Sequence, residues 1–176
     1  MRIIGGTYKG KTIAGNTRLL LRPTTDFAKE GLFNILSGRY ETVASDVLDL
    51  FSGTGSISYE FVSRGAKSVH AVEINPQHAG FIRQTLRKMK IDNIRVIRDD
   101  AFHFLNICKV TYDVIFADPP YDMAKLSSLP DEILNRPLLN DHGILIIEHS
   151  RRTDFSSHQR LIMHRHYGNV HFSFFR

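Results

Sequence analysis

The chain of 176 residues has one cysteine, no tryptophan and only six prolines, and no apolar run beyond strand length. A lone Cys108 can build neither a disulfide framework nor a cysteine-based zinc site. No stretch approaches the roughly 18–20 apolar residues that a membrane-spanning helix needs. Met1-Arg2-Ile3 leads into no signal peptide, so a soluble, cytoplasmic protein is expected. Six prolines and twelve glycines are too few for a disordered or collagen-like chain. What remains is ordinary: 42% apolar and 23% charged residues, enough for the core of one domain.

Charge is unevenly placed. Residues 1–40 hold seven basic groups (Arg2, Lys9, Lys11, Arg18, Arg22, Lys29, Arg39) against Asp26 and Glu30, a balance equal to the net charge of +5 of the whole chain. A second cluster, Arg83, Arg87, Lys88, Lys90, Arg95 and Arg98, is opposed only by Asp92. Two such clusters imply a polyanionic partner.

Residues 1–15 read as a small hairpin around Gly- and Lys-containing turns. Thr24 or Thr25 then caps a helix carrying Phe27, Leu32, Phe33, Ile35 and Leu36, which Ser37-Gly38 should stop. Strand-length apolar runs follow at 46–51, 68–74, 94–98, 112–117 and 143–148, without alternation, as in a parallel sheet buried on both faces. Helical stretches at 55–64, 76–90, 100–108 and 125–136 separate them. Asn75-Pro76 is a strong helix start. The tail, 160–167 and 171–176 around Gly168-Asn169, reads as an antiparallel hairpin. The expected fold is therefore α/β, a doubly wound, mostly parallel Rossmann-type sheet ending in that hairpin. Residues 1–41 form a basic extension and 42–176 the sheet domain.

Ligands in such folds sit at the carboxyl ends of the strands. The first strand runs through Asp49 and Phe51 into Ser52-Gly53-Thr54-Gly55, where two glycines allow a sharp turn before a helix N-terminus. Glu73, twenty residues after Gly53, ends the next strand and is placed to take both hydroxyls of a ribose. A dinucleotide fingerprint would need a third glycine where Ser58 stands, and Asp49 would repel a pyrophosphate. S-adenosylmethionine, with its cationic ammonium and sulfonium, suits Asp49 better. Asp100 is a candidate acceptor for an adenine amine, with Ala101 or Phe102 against the ring.

The fourth strand ends in Asp118-Pro119-Pro120-Tyr121. Two prolines stiffen this loop and remove backbone donors. A carboxylate and the Pro119 carbonyl become paired acceptors for an exocyclic amine, and Tyr121 can stack on its ring. Holding both hydrogens localises a lone pair otherwise delocalised into the base, so attack on a sulfonium methyl becomes a matter of positioning.

These motifs resemble an amino-group methyltransferase of the Rossmann type, and the extension narrows the resemblance. Arg2-Ile3-Ile4-Gly5-Gly6, Lys9-Gly10-Lys11, Arg22-Pro23-Thr24-Thr25-Asp26, Phe33-Asn34-Ile35-Leu36, Glu60 and Ser63-Arg64-Gly65-Ala66 are similar to the RsmD family, bacterial methyltransferases of guanine N2 in small-subunit ribosomal RNA. That resemblance implies S-adenosyl-L-methionine as donor, held around Asp49, Phe51, Gly53, Gly55, Glu73, Asp100 and Ala101. It makes Asp118 to Tyr121 the reacting loop, and Arg2, Lys9, Lys11, Arg22 and Thr25 the RNA contacts. The partner it implies is ribosomal RNA, within the small subunit or an assembly intermediate. Phe27 and Gly31 depart from the family pattern. An adenine-N6 DNA methyltransferase is the alternative enzyme, but 176 residues leave no room for a separate recognition domain. A non-catalytic nucleic-acid-binding module is the alternative outside enzymology. Nine histidines yield no metal site, because His164 and His166 share a strand face without a third ligand.

Overall fold

The computed structural model describes residues 1–14, 24–40 and 43–176. Helix α1 (Asp26–Arg39) precedes a sheet whose parallel part alternates with helices: β1 (Asp46–Leu50), α2 (Ser56–Ser63), β2 (Ser68–Val72), α3 (Pro76–Met89), β3 (Ile94–Ile97), α4 (Ala101–Ile107), β4 (Tyr112–Ala117), α5 (Leu129–Leu134) and β5 (Leu139–His149). The hairpin β6 (Leu161–Tyr167) and β7 (Val170–Phe175) completes it. Strand order is β3-β2-β1-β4-β5-β7-β6, with β7 antiparallel to both neighbours. The order reverses between β1 and β4, and a crevice opens there at the carboxyl ends.

Because successive strand residues face opposite sides, the sheet carries two cores. Val47, Val69, Phe116, Ile146 and Phe172 pack with Leu32, Phe33, Phe61 and Ile82 from α1, α2 and α3. Leu48, Leu50, Ile115, Leu145 and Phe175 pack with Leu105, Leu129 and Ile133 from α4 and α5.

Of the expected boundaries that move, three have a clear local cause. Helix α1 passes through Gly38 to Arg39, since one glycine costs only about 1 kcal/mol in a helix; the Tyr40 N–H then donates to the Leu36 carbonyl. The stretch expected as helix 125–136 is helical only over Leu129–Leu134, because Pro130 is tolerated only in a first turn. Strand β5 starts at Leu139 rather than 143, with an irregularity that lets Asn140–His142 bulge outward before Ile144 pairs with Val114.

The N-terminal segment is fastened to the sheet domain. Arg2 bridges Thr12, and the Ile4 and Gly5 amides donate to the two oxygens of buried Glu60 at 2.9 and 2.8 Å. Ile3 and Ile13 join the core on α1's side of the sheet. Lys29, counted above among the basic groups, is buried instead, its Nζ donating to the Arg2 carbonyl at 2.7 Å. The two departures from the family pattern also have a cause. A Cβ at Gly31 would stand 2.1 Å from the Tyr167 ring, and Phe27 packs edge-on against that same ring at 5.4 Å. Helix α1 and the terminal hairpin are thus locked by a ring lying where a side chain would otherwise be.

Candidate active site

The crevice holds a cavity of about 440 Å³. Ten of the expected site residues line it: Asp49, Phe51, Gly53, Glu73, Asp100, Ala101, Asp118, Pro119, Pro120 and Tyr121. Gly55 stands behind this wall as the N-cap of α2 at φ +83°, where a Cβ would press on the Tyr59 ring at 3.0 Å. Arg2, Lys9, Lys11 and Thr25 lie outside the cavity lining, and Arg22 falls outside the described residues. Thr25 caps α1, its Oγ1 accepting from the Ala28 amide, while Arg2 pairs with Asp26 at 3.2 Å.

One half of the cavity is built from the β1–α2 turn and the end of β2. Phe51 and Gly53 both adopt positive φ, +61° and +55°, so the chain reverses sharply above β1. A phenylalanine there is strained, and such strain persists only where its surroundings over-determine it. Glu73 supplies that restraint: Oε2 accepts from the Gly53 amide and Oε1 from the Asn75 amide, both at 2.7 Å. Asp49 is buried and accepts from the Ser58 hydroxyl. Burial above all, with a contribution from Glu73, pushes its carboxyl up to about 7. Ser56 Oγ is buried with no hydrogen-bond partner among the described residues, a polar atom awaiting a ligand. A methyl donor carrying an amino acid and two positive charges fits this set, because a cation relieves Asp49 and a carboxylate or amine can engage Ser56. Asp100 divides its duties: it lines the cavity while Oδ1 caps α4 through the Phe102 and His103 amides.

The other half converges from distant segments. Asp118, at the end of β4, has its carboxyl raised well above the usual range by burial, then by the facing carboxylates of Glu148 and Asp49. Glu148, near the end of β5, accepts from Thr24 Oγ1 at 2.8 Å and from the Tyr121 hydroxyl at 3.1 Å. The family profile described as Conserved hypothetical protein 95 matches residues 1–176. This chain belongs to the RsmD family of methyltransferases. It is 33% identical over 148 residues to Ribosomal RNA small subunit methyltransferase D of Escherichia coli, covering 84% of this chain and 71% of that one. To the putative rRNA methyltransferase YlbH of Bacillus subtilis it is 30% identical over 158 residues, 88% of this chain and 85% of the other. The solved structure of the putative methyltransferase yhhF from Escherichia coli superposes with a TM-score of 0.87 at 26% identity, covering 99% and 96% of the two chains.

Thr24, Glu148 and His78 are site residues that sequence reasoning missed. Glu148 ends an apolar strand at the level of Asp118, since β4 and β5 pair Ala117 with Ile147. That terminal carboxylate was the available signal. Thr24 stands out only as a capping candidate and within the Arg22-Pro23-Thr24-Thr25-Asp26 motif, and His78 lines the cavity with Nδ1 3.7 Å from Glu73.

Proposed function

We infer that this protein transfers a methyl group from S-adenosylmethionine to the exocyclic N2 amine of a guanine in small-subunit ribosomal RNA. The observation that carries the reading is the facing of two unlike walls across one cavity: the Glu73-braced glycine turn and the Asp118-Pro119-Pro120-Tyr121 loop. When bound, S-adenosylmethionine supplies an electrophilic methyl on a sulfonium. Glu73 holds its ribose, Asp49 and Ser56 meet its amino-acid end, and Phe51, Asp100 and Ala101 border its adenine; Gly53 and Gly55 leave room for it.

Asp118 and the Pro119 carbonyl accept the two amine hydrogens, so the nitrogen lone pair is turned out of conjugation and aimed at the methyl. Tyr121 stacks against the base, with its hydroxyl fixed by Glu148. The nitrogen loses a proton readily once it carries the methyl, and Asp118 is the acceptor within reach. A guanine presents two adjacent donors, N1–H and N2–H, to a wall whose side chains are carboxylates. That match favours guanine over adenine, whose edge pairs a donor with an acceptor.

Lys9, Lys11, Arg2, Arg22 and Thr25 contact the RNA outside the cavity, within the small subunit or an assembly intermediate in the cytoplasm. Deleting the segment would be a poor test, because Ile3, Ile13 and the Glu60 clasp belong to the core. Lys9→Gln with Lys11→Gln leaves the backbone intact and should lower the salt slope of RNA binding by about 1.4 for two single-strand phosphate contacts. The function itself is tested by incubating small subunits that lack the modification with methyl-labelled donor and analysing nucleosides by mass spectrometry. N2-methylguanosine is expected; label confined to N6-methyladenosine, or no label at all, overturns the reading.

A further inference from the structure

Beside the cavity lies a second cluster of titratable groups that methyl transfer does not use. Strand pairing sets His149 opposite His171, and His171 opposite His166. The ring of His171 lies 5.6 Å from that of His149, 5.2 Å from His164 and 5.4 Å from His166. His149 is buried beneath the others, with Nδ1 on the Ser150 carbonyl at 2.9 Å and Nε2 on the Ser173 hydroxyl at 2.8 Å. Above it, His164 Nε2 and His171 Nδ1 stand 3.0 Å apart. His164 and His166 are exposed.

This packing argues against a metal. Both nitrogens of His149 are occupied, and His164 and His171 spend one each on the other; among the described residues no group of three has metal-holding geometry. The packing also resists protonation. Burial first, and the neighbouring imidazoles after it, hold His164 and His171 below the ordinary histidine range. Arg165, which donates to the His164 carbonyl at 2.7 Å, and Arg151 push the same way. Asp154 is the acid facing His149 and His164, and its carboxylate is already engaged by Ser156. The result is a patch of closely packed imidazoles flanked by Arg151 and Arg165.

Its position names the anion. Glu148 and Val170 line the cavity, and His149 and His171 follow each of them directly, on the opposite face of the same strand ends. A nucleotide with its base in the cavity carries its flanking phosphates out past the cavity mouth, and this rim is one of those that border it. We propose that His164, His166 and His171, with Arg151 and Arg165, form a proton-taking contact surface for the phosphate backbone of the substrate RNA, beside the methylation cavity. The proposal rests on the reading that RNA is the substrate, and phosphate binding there would be coupled to proton uptake.

The test is filter binding of protein-free small-subunit ribosomal RNA to the full chain at constant ionic strength from pH 8 to pH 6. Wild-type affinity should rise by about tenfold as two or so imidazoles become cationic. His164→Gln with His166→Gln should abolish most of that rise, matching wild type at pH 8 and in cofactor affinity. His164→Arg with His166→Arg should bind tightly at every pH, with no slope. A wild type without a pH slope, or a slope that survives both glutamines, overturns the surface. The nucleoside that carries the label is scored separately, so a failure of the guanine assignment is not mistaken for a failure of the patch.

Discussion

The two halves of the cavity are built by opposite strategies. The donor half is local: Asp49, Phe51, Gly53, Gly55 and Ser56 lie within eight consecutive positions, and Glu73 closes the turn by accepting the Gly53 amide. The acceptor half is assembled from residues 24, 118–121, 148 and 170, held by side-chain hydrogen bonds spanning up to 124 positions. A local half can be stiff without help from the rest of the fold. A convergent half depends on how α1, the loop after β4 and the terminal hairpin dock on one another. Substitutions should therefore separate cleanly, those in one half altering donor affinity and those in the other altering turnover and RNA capture.

The largest expected effect is at Asp118. Asp118→Ala removes one of the two proposed amine acceptors, whose effect falls mainly on the transition state, so kcat should fall by about 10² to 10⁴ in single-turnover assays. Donor affinity by calorimetry should be nearly unchanged. Asp118→Asn keeps one acceptor oxygen and should retain partial activity. A wild-type rate for Asp118→Ala would remove this loop from the chemistry. Glu73→Ala is the mirror experiment. It deletes the proposed ribose acceptor and also frees the Gly53 and Asn75 amides, so donor binding should weaken by about 2–4 kcal/mol. If RNA affinity fell equally, the two halves would not be independent.

The same contrast decides how much was legible beforehand. The five parallel strands, the glycine turn, Glu73 and the Asp-Pro-Pro-Tyr loop all announce themselves within short windows, because strand ends, turns and caps are local chemistry. Glu148 and Thr24 meet only through tertiary packing, and neither residue type marks itself as a partner of the other. His164 and His166 were visible as one strand face, but His149 and His171 join them only once β7 inserts between β5 and β6. Gly31 looked like an anomaly in a helix until the ring of Tyr167 filled its place.

Asp49 gives a pH signature of the donor half. Its carboxyl, raised by burial to about 7, holds a proton more tightly in the folded protein than in the unfolded chain. That contribution to stability is complete below the unfolded value near 4 and is lost as pH rises through about 7, at up to roughly 1.4 kcal/mol per pH unit. A cationic ligand in the cavity reverses the preference, so donor binding near pH 6.5 should release up to about one proton. Calorimetry in two buffers of different ionisation enthalpy measures this count. Asp49→Asn should cut it and flatten the stability profile, and an unchanged proton count would assign the release elsewhere.

The smallest effect tests whether the acceptor half depends on docking. In an exposed helix interior Gly→Ala is favourable by about 1 kcal/mol. At Gly31 the new methyl would meet the Tyr167 ring, which is itself packed against Phe27 and Phe172, so the ring cannot simply swing aside. Overpacking of this kind costs about 1–3 kcal/mol, and Gly31→Ala should be destabilising by about 1–2 kcal/mol despite the better helix former. The displaced hairpin carries Val170, and Thr24 directly precedes the Thr25 cap of α1, so the RNA-side KM should rise a few-fold while donor affinity holds. Adding Tyr167→Ala empties the contested space, so the two substitutions together should cost less than their sum in a double-mutant cycle. Strict additivity would mean that ring and helix do not compete for that space, and the acceptor half would have to be held together by something other than this lock.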